Sequence, residues 1–420
     1  MFALADCNNF FVSCERVFRP DLERSPVLVL SNNDGCVISR SNEVKALGVK
    51  MGVPVYQIRD AIERNHITVF SSNFTLYGDM SDRVHLTLLQ MVPDIEIYSI
   101  DEAFLDLRGM ENTDMDLLAK KISKTCRRNT GIPVSVGVAP TKTLAKIASK
   151  LCKTYPKLQG GCYMNRPEDI EKVLKKFPVN DVWGIGRKHN AFLSMLNIKS
   201  AADFAALNPE FVEKQFSITG LRTWRELHGE PCIGFTNEVP AKQQICSSRS
   251  FSKEIYELEP LCKQVSLFVS MVCEKLRKQG GVCNQAMVFV LTNRHRQNLP
   301  QQFEEKMVTF QVATDSTLEI NAAIMKALPR LFRKGYGYKK AGVILSEISS
   351  GKAVQSALFD AVDHGKHGRA MKAMDYINAK EGKNKVAVAS QDPEGIRMNR
   401  NHLSPQYTTK WSDILVVNSG

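Results

Sequence analysis

Apolar runs broken by short polar stretches predict strands and helices in alternation along this chain. Residues 1–6 are apolar up to Asp6 and read as a buried strand; residues 26–30 read as another, closed by the turn Asn32-Asn33-Asp34-Gly35. Residues 95–100 give a third strand and residues 134–139 a fourth, the latter after a helical pattern from about Asp116 to Arg128. Strands interleaved with helices in one region predict an α/β sheet of mixed direction. Near residue 181 the pattern changes. Val182-Trp183-Gly184-Ile185-Gly186 precedes a helical run through Leu193 and Leu196, and it lacks the further glycine of a dinucleotide fingerprint. A helix-hairpin-helix turn fits better, because glycines let backbone N–H groups approach a phosphate. Residues 244–350 then read strand (244–251), helix (258–278), two strands (285–291, 306–312), helix (317–332) and strand (340–348). That β-α-β-β-α-β order defines a compact α+β module. Pro231 to Pro240 is the predicted linker before it, and the chain beyond about Ser349 is expected to be poorly patterned.

At 420 residues the chain is long enough for two to four domains, and 43% hydrophobic with 24% charged residues is a globular balance. No apolar stretch is long enough to span a bilayer and Asp6 interrupts the N-terminal run, so a cytoplasmic protein with no membrane partner is expected. The 11 cysteines are scattered without a Cys-x-x-Cys pair and are read as reduced thiols. His364 and His367 have no companion ligands at metal-binding spacing and are read as surface residues. Net charge is +12, but residues 1–110 carry 10 Lys+Arg against 15 Asp+Glu, while residues 111–180 carry 14 against 6 and residues 241–350 carry 16 against 9. Carboxylates beside positive segments suit metal-assisted chemistry on a polyanion.

The chemistry is expected where carboxylates end buried strands: Asp6 on the first, Asp101 and Glu102 at the close of residues 98–102. Such carboxylates are costly unless something binds them. Two such strands side by side would gather three carboxylates, an oxygen-rich set for Mg²⁺ and for in-line phosphoryl transfer.

The company of these residues carries a resemblance. Asp6-Cys7-Asn8-Asn9-Phe10-Phe11 with Cys14-Glu15, then Tyr98 to Glu102, then the run from Gly137 to Lys146, resemble in order and spacing the palm motifs of Y-family translesion DNA polymerases. The run from Ser31 to Ile38, the Val182 to Gly186 turn and the terminal run from Leu403 to Thr409 resemble the UmuC branch in particular. The resemblance covers nearly the whole chain. It implies a multidomain α/β and α+β right hand: palm over 1–175 with small fingers inserted at about 20–80, helix-hairpin-helix thumb over 176–232, linker 233–243, little finger over 244–350 and a tail over 351–420.

It also implies roles. Asp6, Asp101 and Glu102, helped by the main-chain carbonyl of Cys7, would hold two Mg²⁺ ions. Lys153 would grip the incoming triphosphate, and Phe11 would be the steric gate that leaves no room for a ribose 2′-hydroxyl. Phe10 is counted with it among the nucleotide-binding residues and, read as its strand neighbour pointing the opposite way, can supply the core contact if Phe11 cannot. Cys36 and Ile38 would roof the nascent base pair. Asn42 and Lys45 stand where many relatives have a Tyr-x-x-Arg pair, and lysine keeps the charge but loses the bidentate fork. Gly184, Gly186 and Arg249 would hold DNA backbone without reading sequence. Gln355, Leu358 and Phe359 resemble the peptide that docks on the bacterial sliding clamp. Primer-template DNA, dNTPs, a processed UmuD-type dimer and RecA follow as expected partners, with error-prone synthesis in an SOS-type damage response in the nucleoid. The rival readings are a two-metal nuclease or nucleotide cyclase on a palm-like sheet, and an inactive DNA-binding accessory protein.

Overall fold

The computed structural model describes residues 1–236, 240–352, 354–358, 360, 362–382, 384–392 and 398–416. The chain forms two compact units, one of Met1–Val239 with Arg400–Gly420 and one of Pro240–Asn399.

The first unit is built on β1 (Phe2–Cys7), β2 (Val27–Leu30), β3 (Val37–Arg40), β4 (Thr68–Ser71), β5 (Asp94–Ile97), β6 (Glu102–Asp106), β7 (Val134–Ala139) and β8 (Gly161–Tyr163). Its helices are α1 (Phe10–Phe18), α2 (Asn42–Ala46), α3 (Arg59–Arg64), α4 (Phe74–Leu89), α5 (Met115–Thr130), α6 (Lys142–Thr154), α7 (Pro167–Lys176), α8 (Arg187–Met195), α9 (Ala201–Ala205) and α10 (Pro209–Leu227). A five-stranded sheet runs β5-β6-β1-β7-β8, antiparallel except for the β7-β8 pair, and a three-stranded sheet runs β3-β2-β4. Every residue of β7 is buried and β1 is buried except at its first residue and Asp6. Strands covered on both faces read as continuous apolar runs, as these do. Close packing of α6 on β7 depends on Gly137, where a Cβ would fall 2.1 Å from the Ser149 backbone nitrogen.

The second unit has β9 (Ile245–Ile255), α11 (Leu258–Lys278), β10 (Gly281–Thr292), β11 (Phe303–Thr314), α12 (Thr317–Ala327) and β12 (Tyr338–Ser350), with its sheet ordered β11-β10-β12-β9. Sheet pairs are antiparallel, and α11 and α12 close one face over a core that includes Phe251, Phe268 and Val288. The chain beyond Ser349 is more ordered than its composition predicts, because α13 (His364–Glu381) packs on this unit. Its signal is weak in sequence, since Met371 alone of its residues is buried; Asp375 instead makes a two-point ion pair with Arg277. His364 and His367 lie on this helix, bonded to Asp360 and Ser316.

Candidate active site

The first two strands of chemistry meet at one end of β1. Asp6 lies opposite Glu102 across the β1-β6 ladder, so their side chains share a face as cross-strand neighbours. The reading of residues 95–100 as one strand is corrected here. β5 stops at Ile97, and Tyr98 to Asp101 form a tight turn, with Glu102 opening β6. Ser99 makes the turn: its Oγ donates to Asp101 Oδ1 at 2.6 Å and accepts from the Glu102 amide at 3.1 Å. Two anchors fix it. The Cys7 amide donates to the Asp101 carbonyl at 2.8 Å, and Ser81 Oγ on α4 donates to the Ile100 carbonyl at 2.6 Å.

Each carboxylate stands with its own partner. Lys153 Nζ lies 2.6 Å from Asp6 Oδ1, Lys146 Nζ lies 2.8 Å from Glu102 Oε1, and Asp101 has Ser99. Among the described residues no three His, Cys, Asp or Glu side chains are already arranged as a metal cage. The donor set nonetheless fits a hard divalent cation: it is all oxygen, gathered from two adjacent strands and the turn that precedes one of them, and anionic. Burial pushes the Asp6 carboxyl above its ordinary range; Lys153 pulls it down, while Glu102 and Asp101 add repulsion that a cation would relieve.

Lys146 and Lys153 project from α6, whose start Thr141 caps by accepting from the Leu144 amide. Buried Glu226 accepts from the Thr143 amide at the same helix end. Lys142, also on α6 and 1% exposed, is held by Glu96 at 2.6 Å and the Gly234 carbonyl. Lys146 additionally faces the rings of Tyr98 and Trp183, and Trp183 Nε1 donates to Tyr98 Oη at 3.1 Å. Thus Trp183, beside Gly184, touches the turn that carries the carboxylates. Sequence reasoning assigned nothing to Lys146 or to this aromatic contact; the spacing of Lys142, Lys146 and Lys153 on one helix was the available signal.

Phe10 and Phe11 open helix α1, which corrects their reading as adjacent strand residues. Asn9 adopts the left-handed conformation, φ 49°, that turns β1 into α1. Phe10 is buried in the core, away from the open position its nucleotide-binding reading needs, and Phe11 is half-buried, stacked on Tyr77 at 4.7 Å between ring centroids and edge-on to Phe74. Asn9, unassigned from sequence, ties this turn to α2: Lys45 Nζ donates to Asn9 Oδ1 and Asn9 Nδ2 donates to Asn42 Oδ1. Lys45 is held below the ordinary lysine range by burial and by the like charges of Lys153 and Arg40, so it lies within the same field. Ile38 on β3 packs against the core under β1, and Cys36 bridges to Pro54.

Gly184 needs its glycine, with φ +91°, and Gly186 is the residue before α8 with open space at its Cβ position. Arg249, on β9 opposite Ala341, lines an open cleft of about 1480 Å³ within the second unit, together with Lys275, Lys278, Lys352 and Lys372. Gln355 and Leu358 follow β12, with Leu358 91% exposed; Phe359 lies outside the described residues.

A family model described as impB/mucB/samB family matches residues 5–150, its C-terminal domain matches residues 242–358, and a domain of unknown function matches residues 369–417. Protein UmuC of Salmonella typhimurium is 40% identical, over 99% of this chain and all of that protein. DNA polymerase IV of Caulobacter vibrioides is 27% identical over 90% of each chain. In fold, a Y-family DNA polymerase chimera of Dbh and Dpo4 segments matches with TM-score 0.65 at 21% identity, covering 83% of this chain and all of the chimera.

Proposed function

The chain belongs to the impB/mucB/samB family, the UmuC branch of the Y-family, and is a DNA-directed DNA polymerase of error-prone translesion type; from that premise we propose that Asp6, Asp101 and Glu102 are its nucleotidyl-transfer centre. The observation that carries this assignment is the register of β1 on β6, which sets Asp6 opposite Glu102 while the Cys7 amide holds the Asp101 carbonyl. Two Mg²⁺ ions on these carboxylates and the Cys7 carbonyl would activate the primer 3′-hydroxyl and stabilise the leaving pyrophosphate.

The chain's own residues do the rest. Lys153 and Lys45, two cations beside the carboxylates, attract and orient the triphosphate of the dNTP. Lys45 is a point charge with no fork, so orientation there depends on Asn42 and Asn9, to which it is tied. Phe11, backed by Tyr77, occupies the place where a 2′-hydroxyl would project. Ile38 and Cys36 present modest side chains over the base pair, which leaves room for a distorted template base. Gly184 and Gly186 in the thumb and Arg249 in the little finger, with the lysines around its cleft, bind the DNA backbone by charge and amide contacts that ignore sequence. On this reading residues 1–175 with fingers at about 20–80 are the palm, 176–232 the thumb and 244–350 the little finger, while the tail drawn over 351–420 is shared, its residues to 399 in the second unit and those from 400 in the first.

The peptide Gln355 to Phe359 is assigned to the sliding clamp, on the support of an apolar Leu358 left in solvent. A processed UmuD-type dimer and RecA complete the set of partners for an SOS-type response. The deciding experiment is primer extension with Mg²⁺ on undamaged and abasic templates. Lengthened primers on both are expected; primers shortened instead would overturn the polymerase assignment in favour of a nuclease.

A further inference from the structure

The C-terminal stretch that family comparison leaves without a role returns to the first unit and ends against the back of the residues assigned to sugar choice. Its contacts are specific. The Asn401 amide donates to Asp34 Oδ2, in the loop before Cys36 and Ile38. Leu403 bridges to Ser71 at the open edge of β4, and Ser71 exchanges bonds with His402 through its amide and its Oγ. Asn73, which caps α4 by accepting from the Leu76 amide, spends its amide group on Ser404 and Pro405: Nδ2 donates to the Ser404 carbonyl at 3.1 Å, Ser404 Oγ at 3.0 Å and the Pro405 carbonyl at 3.2 Å. Tyr407 stacks on Phe18 of α1 at 4.5 Å.

The centre of this contact is Glu15, fully buried on α1. Ser404 Oγ donates to Glu15 Oε1 at 3.0 Å and Tyr77 Oη donates to the same oxygen at 2.6 Å. Tyr77 is the ring on which Phe11 stacks, with 20° between planes. A continuous chain of contacts thus runs from Ser404 through Glu15 and Tyr77 to Phe11.

We propose that the segment Asn401 to Tyr407 is a brace for sugar selection: by fixing Glu15, Ser404 holds Tyr77 and thereby keeps the Phe11 ring where it excludes a 2′-hydroxyl. The inference rests on the reading of Phe11 as the gate. Ser404 is a positioning residue, acting through two others. The geometry favours this over a mere surface tether, because the strap's best-buried polar contact, to Glu15, is two residues' reach from Phe11, and because Glu15 already uses Oε1 for both hydroxyls while Oε2 has no partner among the described residues. Removing one donor shifts the other.

The test measures kcat/KM for a ribonucleotide and its deoxy counterpart opposite one template base, with melting temperature, for the parent, Ser404→Ala, Ser404→Thr, Phe11→Ala and the Ser404→Ala/Phe11→Ala double variant. Ser404→Ala should raise the ribo-to-deoxy ratio about fivefold, the scale of one ordinary hydrogen bond lost. Ser404→Thr, which keeps the hydroxyl, should restore the parent ratio, and the double variant should match Phe11→Ala alone. If Phe11→Ala opens the gate but Ser404→Ala does not, or lowers both sugars equally with the melting temperature, the brace is refuted and the gate stands. Ser404→Ala acting fully in the Phe11→Ala background also refutes it. If Phe11→Ala leaves the ratio unchanged, the gate reading itself falls and takes the brace with it.

Discussion

Glu15 offers a prediction whose size and sign both come from the structure. It is fully buried, and burial raises its carboxyl from the ordinary 4.5 to about 7 in spite of hydrogen bonds from Tyr77 and Ser404. The groups that face it do not titrate in that window: burial and the Glu15 charge push the Tyr77 phenol and the Cys14 thiol up, and Tyr407 is also raised. The folded state therefore keeps a proton between pH 4.5 and 7 that the unfolded chain releases. Because the unfolded state binds fewer protons there, stability falls as pH rises through the window and levels off above it. A shift of this size corresponds to about 3 kcal/mol. Replacing Glu15 by Gln removes the titration. The amide also puts an N–H where Oε2 has no partner, a cost of about 1–3 kcal/mol that does not vary with pH. Urea denaturation of parent and Glu15→Gln at pH 5, 6, 7 and 8, followed through the unit that contains α1, isolates the difference, since every other carboxylate cancels. The parent should lose stability relative to the variant as pH rises, by up to about 3 kcal/mol in all. Parallel curves would refute the claim that burial raises the Glu15 carboxyl.

Three other variants test other parts of the molecule. Asp101→Ala should abolish primer extension while leaving DNA binding by gel shift nearly intact, and full extension would remove Asp101 from the centre. Gly137→Ala places a Cβ 2.1 Å from the Ser149 nitrogen and 2.4 Å from the Ala145 carbonyl, so the melting temperature should drop by the equivalent of at least about 1–3 kcal/mol; an unchanged melt would mean that α6 can move off β7 freely. Leu358→Ala with Phe359→Ala should remove the clamp-dependent increase in product length, and retained stimulation would rule out the docking role; equal loss of basal synthesis and thermal stability would place the pair in a core instead.

What the sequence disclosed followed the strength of its local patterns. Helix α11 was predicted with the bounds that it has, residues 258–278, because a long amphipathic stripe leaves little choice. The strands of the second unit run longer than their apolar centres, since ladder pairing continues into largely exposed residues, as at Phe303 to Lys306. Two errors have separate local origins. The Ser99 side chain bonds its own turn and ends β5 early, whereas Asn9 accepts a left-handed backbone that starts a helix where a strand was expected to continue. The candidate carboxylates were legible because charge at the end of an apolar run is costly. Their lysine partners were legible only as charge, since Lys146 and Glu102 meet through tertiary packing alone. Asn73 and Ser404 lie 331 positions apart, and no local pattern relates them.

The charge distribution acquires a physical meaning once the partners are known. The acidic first segment and the basic second one meet at α6, where Lys153 and Lys146 neutralise Asp6 and Glu102. Carboxylates on adjacent strands and in the turn between β5 and β6 would otherwise repel one another and loosen the β1-β6 end that carries them, so on the proposed reading the lysines hold the anionic site assembled before substrate arrives. Neither ion pair is sealed in: the Lys153 side chain is 36% exposed and Asp6 17%, so the pair can exchange partners in water at little cost. Lys142 on the same helix differs in this respect, being 1% exposed and locked to Glu96. On the proposed reading the contrast divides the helix by task. Lys142 fixes α6 to the sheet, whereas Lys153, and to a lesser degree Lys146, can release a carboxylate and take a phosphate. One helix thereby supplies both the rigidity that positions the site and the mobile positive charge that the polyanionic substrate requires.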